Sequence, residues 1–209
     1  MNVLYVGSGR SALLAAKADP HKYTICAVNN AWRIFPFPFD YWIYSGDFPQ
    51  DNFPLTRNFK KEVSHFDYET SSAAVCKKIA REERFPQHHL GYTIFFQGLY
   101  WIIHHLQPRK IYMLGFDHDY DPAKVKKWKI AGEPSPQNHH LKLPQSFFET
   151  NLSDSFYGYG TPDPMRLGDD HMRELFQRAG DYSTRLGVLL LNASGVTNGL
   201  NPFPQEMLP

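Results

Sequence analysis

Four short clusters of small polar, glycine and acidic residues each stand at the end of an apolar run. Gly7, Ser8, Gly9 and Ser11 follow NVLYV, and Asn29 with Asn30 follows YTICAV. Ser45 and Asp47 close DYWIYSGD, and Gly115, Phe116 and Asp117 follow KIYML. A G-x-G-x-S turn between a strand and a helix start can aim backbone N–H groups at an anion; it can equally be a plain tight turn. The asparagine amides offer donor and acceptor together, which suits the edge of a base or ribose hydroxyls, although asparagine also caps turns. In an open α/β sheet, ligands bind at the carboxyl ends of the strands, where all four clusters would fall.

A second set of residues could move a proton or steady a departing oxygen. Tyr157 and Tyr159 lie in FYGYG, and Asp170 and His171 stand at the head of the last apolar-periodic segment. A tyrosine O–H aimed at a leaving oxygen stabilises charge that develops only in the transition state. An imidazole or carboxylate within reach of a hydroxyl can take its proton. Asp169 and Asp170 also suit helix caps.

The elements that must position these groups alternate. Apolar runs at 2–6, 23–28, 40–47, 110–114 and 188–194 predict strands. Helices are predicted after the first glycine turn, capped by Ser8 or Ser11 and ending near Pro20, and over 71–82 behind Ser71. A third spans 93–106, with Thr93 at its head counted among the ligand-side candidates, and its aromatic residues are expected to pack under the sheet. A fourth starts at Asp169 or Asp170 and stops at Gly187. Residues 48–70 read as irregular. The order predicts one α/β domain over residues 1–209 with a doubly wound, mostly parallel sheet. Between about 118 and 167 the alternation breaks, with prolines at 122, 134, 136, 144, 162 and 164. A loop that long in a compact domain reads as a lid over the strand ends.

Composition narrows the function classes. Lys+Arg at 22 against Asp+Glu at 21 disfavours a dedicated nucleic-acid binder, whose affinity comes from neutralising phosphates. Six of the ten histidines form the adjacent pairs His88-His89, His104-His105 and His139-His140, which point apart on a helix or strand and chelate poorly. No structural zinc is expected. Cys26 reads as a free buried thiol, and Cys26 with Cys76 makes no disulfide framework. No run reaches the length of a membrane span, so a soluble cytoplasmic protein is expected, with self-association left open.

The motifs VLYVGSGRSAL, AVNNAW, WIYSGD, KIYMLGFD, FYGYG and LLLNAS occur in an order and spacing that resembles the small bacterial lipooligosaccharide sialyltransferases. The wider set of similar Rossmann-type domains includes the MptE-like pterin pyrophosphokinases and flagellin-glycosylating proteins. The resemblance implies a Rossmann-like fold in which a CMP-linked sugar lies across the strand ends without a metal. It places Gly7, Ser8 and Gly9 near the phosphate or cytidine, and Asn29 or Asn30 on the nucleotide. Ser45 and Asp47 would lie near the ribose or sugar, Gly115 and Asp117 would line the base and ribose pocket, and Tyr157 would bind the departing phosphate. One departure stands out. Where the family carries a catalytic histidine, this chain reads Tyr159-Gly160-Thr161, so a base would come from His171, Asp170, Asp169 or the pair His139-His140.

The leading expectation is a metal-independent glycosyltransferase that joins a nucleotide-activated sugar to a hydroxyl acceptor, either a glycan or, as in some phage enzymes, a modified DNA base. A second is an MptE-like pyrophosphokinase with Mg²⁺ held by carboxylates such as Asp47, Asp117, Asp119 and Asp121. A third is a nucleotide- or sugar-binding module without catalysis.

Overall fold

The computed structural model describes residues 1–46, 48, 50, 53–64, 67, 94–116, 169–195 and 202–208. The apolar runs become strands β1 (Asn2–Val6), β2 (Thr24–Val28), β3 (Phe39–Ile43), β4 (Phe59–Val63), β5 (Lys110–Leu114) and β6 (Leu189–Asn192). They form one all-parallel sheet in the order β4-β3-β2-β1-β5-β6. The chain therefore starts at the centre, winds outward through β2 and β3 to β4, and returns to set β5 on the other flank of β1. The reversal of direction falls between β1 and β5, where Val6 sits in register with Leu114.

Strand β4 lies inside 48–70, which the sequence reads as irregular. Its residues FKKEV bury only Val63 fully and leave Lys60 and Lys61 exposed, so it carries little apolar signal. Charged side chains are the ordinary composition of a strand at a sheet's margin.

Both faces of the sheet are covered, which is why the central strands read as continuous apolar runs rather than alternating ones. On one face Val3, Tyr5, Cys26, Val28, Ile111 and Met113 pack beneath α1 (Ile94–Leu106) and α2 (Asp169–Arg185). On the other, Leu4, Val6, Ile25, Trp42 and Leu114 pack beneath two 3₁₀ helices, Arg10–Lys17 and Asn29–Ile34. Cys26 is buried and free, as its strand setting implies.

The helix expected after the first glycine turn is thus 3₁₀, and the expected serine cap does not form. Gly9 is the cap residue, and it carries no side-chain cap hydrogen bond among the described residues. Three residues per turn line up Ala12, Ala15 and Ala18, and all three are buried against the sheet. Leu13 and Leu14 fall on the outer side and remain partly exposed.

Helix α1 buries nearly its whole circumference between the sheet and α2, so its aromatic residues pack under the sheet as the sequence implies. Phe95 and Phe96 each meet the Phe176 ring at 5.1 Å. Tyr5 of β1 donates its hydroxyl proton to the carbonyls of Ile94 and Phe95, each at 3.0 Å. Gly98 makes room for that hydroxyl, because a Cβ there would stand 2.3 Å from it. Helix α2 ends as expected at Gly187, which has φ +72°. Gly187 N–H donates to Thr184 O at 3.0 Å and Val188 N–H to Ser183 O at 2.9 Å, the two bonds of a Schellman motif.

The helix expected over 71–82, the lid at 118–167 and Cys76 lie outside the described residues. Among the described residues no helix is long and apolar enough to cross a membrane.

The Tyr5–Gly98 contact gives a direct test. Gly98→Ala is expected to cost roughly 1–3 kcal/mol in urea unfolding, as overpacked cores do. Tyr5→Phe removes the 2.3 Å clash at the cost of two hydrogen bonds to helix carbonyls. The double variant should therefore lose less stability than the sum of the single losses.

Candidate functional site

The carboxyl ends of the strands gather Gly7 and Ser8 after β1, Asn29 and Asn30 after β2, and Ser45 after β3. Gly115 and Phe116 follow β5, and Ser194 follows β6. All of these leave the same edge of a parallel sheet, and Asp47 and Asp117 of the same clusters lie outside the described residues.

Across the reversal point the two central loops are tied directly to each other. Gly7 N–H donates to Leu114 O at 2.8 Å, and Gly9 N–H donates to Gly115 O at 2.8 Å. In return Gly115 N–H donates to the buried Ser11 hydroxyl at 2.7 Å. The loops touch so closely that a Cβ on Gly7 would stand 2.5 Å from Gly115 O, and one on Gly115 would stand 2.4 Å from Gly7 O. Gly115 also has φ +72°, which favours glycine independently of space. Gly7 of G-x-G-x-S and Gly115 of Gly-Phe-Asp are thereby accounted for by loop-to-loop packing. The N–H groups of Gly7 and Gly9 are engaged, and Ser11 bridges the loops rather than capping its own helix. Ser8 keeps a partly exposed position on this edge.

Phe116 turns back into the core, with its ring 4.7 Å from Tyr5 and 4.8 Å from Phe95. Beyond it a hollow is lined by Phe95, Met113, Phe116, Phe176, Asn192 and Phe203, and these side chains close on one another without room for a water molecule.

The β2 and β3 ends are joined by Asn29, which holds a left-handed φ of 47°. Its carbonyl accepts from Trp42 Nε1 at 3.0 Å, and its Oδ1 accepts from Ser45 N–H at 3.2 Å. Asn29 is therefore a structural tie between adjacent loops. Asn30 is different. It is 1% exposed, yet its Oδ1 has no hydrogen-bond partner among the described residues. A buried amide oxygen without a donor costs free energy, so a site of this kind calls for a donor from elsewhere.

Beside Ser45, the Tyr44 ring stacks on Trp42 at 4.4 Å, and its hydroxyl donates to Glu62 Oε1 at 2.7 Å. Burial, and then the hydrogen bond and charge of Glu62, push Tyr44 up to about 12. After β6, Asn192 Oδ1 accepts from Ser194 N–H and Oγ, at 3.0 and 2.6 Å, so this amide oxygen is satisfied within its own turn.

Of the other site candidates, Thr93, Asp47, Asp117, Tyr157 and Tyr159 lie outside the described residues. Asp170 and His171 are in the first turn of α2, and their side chains are outside that description. Among the described residues no three His, Cys, Asp or Glu side chains come together as a metal-binding group. The Ser11 bridge and the Trp42–Asn29–Ser45 tie had no sequence signal, because each joins residues from different elements across the sheet. No family model, curated protein or solved structure matches this chain.

Two measurements check this edge. Ser11→Ala leaves the Gly115 N–H without its acceptor and is expected to cost roughly 1–3 kcal/mol, with faster exchange of the Gly115 amide. Tyr44 releases its proton near 10 when unfolded but at about 12 when folded. Its contribution to stability is therefore complete below pH 10 and is lost as pH rises from about 10 to about 12. In spectrophotometric titration Glu62→Gln should bring this tyrosine back toward the ordinary range.

Proposed function

We propose that the chain is a metal-independent glycosyltransferase that binds a nucleotide-activated sugar across the carboxyl ends of β1, β2 and β3. The observation that carries this reading is the buried Asn30 amide, whose oxygen has no donor among the described residues, on the ligand-side edge of a sheet that reverses between β1 and β5. Such an oxygen suits an N–H or O–H of a base or ribose. Asn29 supports the reading by fixing the two loops on either side of that position. With the Gly7 and Gly9 amides engaged, Ser8 is the part of the first turn left to meet a phosphate or sugar.

In the proposed reaction an acceptor hydroxyl loses its proton to a base and attacks the anomeric carbon. The bond from that carbon to the phosphate oxygen breaks, and the negative charge departs with the nucleotide. Asp170 and His171 are the base candidates, and the family resemblance gives Tyr157 the role of steadying the departing charge.

Calorimetry with CMP, UDP and ATP, with and without Mg²⁺, tests the reading together with donor hydrolysis from a panel of nucleotide sugars. Binding of a nucleotide unaffected by chelator, weakened about tenfold by Asn30→Ala, is the expected result; tenfold is about 1.4 kcal/mol, within the range for one buried hydrogen bond. Absence of any nucleotide binding overturns it. Binding of ATP only with Mg²⁺ would favour the pyrophosphokinase, and binding without turnover would favour the recognition module.

A further inference from the structure

Residues 202–208, within the proline-containing stretch GLNPFPQEMLP, are fastened to the sheet at three levels. Along the edge of β6, Asn192 N–H donates to Pro204 O at 2.8 Å, Glu206 N–H donates to Asn192 O at 3.1 Å, and Gln205 pairs parallel with Asn192. On one face Phe203 is buried against Phe176 at 5.9 Å, in the wall of the hollow that also holds Phe116. On the other face Leu208 packs against the second core. The strap thus folds round the margin of the sheet and touches both layers.

One charged cluster holds it there. Lys110 Nζ donates to both Glu206 oxygens, at 2.9 and 3.2 Å, and the Tyr112 hydroxyl donates to Glu206 Oε1 at 2.7 Å. Tyr23 stands edge-on to Tyr112 at 5.6 Å, and the charges of Glu206, Asp19 and Lys110 act on it in turn. The hydrogen bonds from Lys110 and then Tyr112 hold the Glu206 carboxyl below its ordinary range. The Glu206 side chain is 40% exposed, so water and salt reach the cluster, unlike the core contacts that anchor Phe203.

We propose that residues 202–208 are a latch, closed by the Lys110–Glu206–Tyr112 cluster, whose release frees the β6 backbone at Asn192 and withdraws Phe203 from the hollow that Phe116 also lines. Among the described strands β6 is the last beyond β5, and a short strap along such a strand is a means of keeping it from pairing with another chain. The latch is independent of whether a nucleotide binds. A folded carboxyl held low keeps its bonds above the unfolded carboxylate value and loses them as pH falls through the folded one, so acid opens the latch.

Amide hydrogen exchange of the full chain tests it, expressed as protection factors for Glu206→Gln, Lys110→Met and the native protein at neutral pH. The expected result is at least a tenfold loss of protection at Asn192 and Glu206, with the amides of Leu4, Tyr5 and Ile25 unchanged. The native protein should show the same pattern in high salt or acid. Unchanged protection at Asn192 and Glu206 in both variants overturns the proposal, because other contacts would then hold the strap. Equal loss at Leu4, Tyr5 and Ile25 also overturns it, because the cluster would then support the whole fold.

Discussion

The contact on which the carboxyl-end edge of the sheet depends is the backbone of Gly7 against the backbone of Gly115. At a reversal point the two loops that leave neighbouring parallel strands usually diverge, because the helices that follow them go to opposite faces of the sheet. Here three hydrogen bonds and the absence of two Cβ atoms hold them together. The consequence runs in both directions. Downward, the contact extends the β1–β5 pairing past Val6 and Leu114 and lets Phe116 fold back on Tyr5 and Phe95. Upward, it engages the Gly7 and Gly9 N–H groups within the fold.

The two layers answer that constraint differently. On the α1 side, large rings fill the space, and Tyr5 reaches across to the helix carbonyls through the notch left by Gly98. On the other side the backbone itself comes close, because a 3₁₀ helix with alanine at every third position presents almost no side-chain thickness. The thin layer brings Ser11 within reach of Gly115; an α-helix with leucines inward would hold it away. The choice of helix type is therefore part of how the two central loops are joined.

The fold was legible in the sequence wherever burial on both faces produced an unbroken apolar run, as in β1, β2 and β5. It was not legible at β4, whose Lys60 and Lys61 face solvent, nor in the strap, whose pairing rests on backbone groups of Pro204 and Glu206. Helix stops were legible where glycine is needed for a positive φ, as at Gly187. The glycines of the candidate site were legible as points of close approach, but sequence alone does not distinguish a ligand from another loop as the thing approached. Asn29 and Asn30 show the same limit. Adjacent and identical in type, they differ in that one amide oxygen is bonded within the fold and the other has no donor among the described residues.

The proposed binding mode puts a nucleotide over the β1–β3 ends while the Gly7–Gly115 contact stays closed. Amide chemical-shift mapping during titration with CMP or UDP tests it most directly. The expected result is shifts concentrated at Ser8, Asn30 and Ser45, with Gly7, Gly9 and Gly115 still protected from exchange. Shifts centred on the amino ends of the strands, or loss of protection at Gly7, Gly9 and Gly115 on binding, would contradict it.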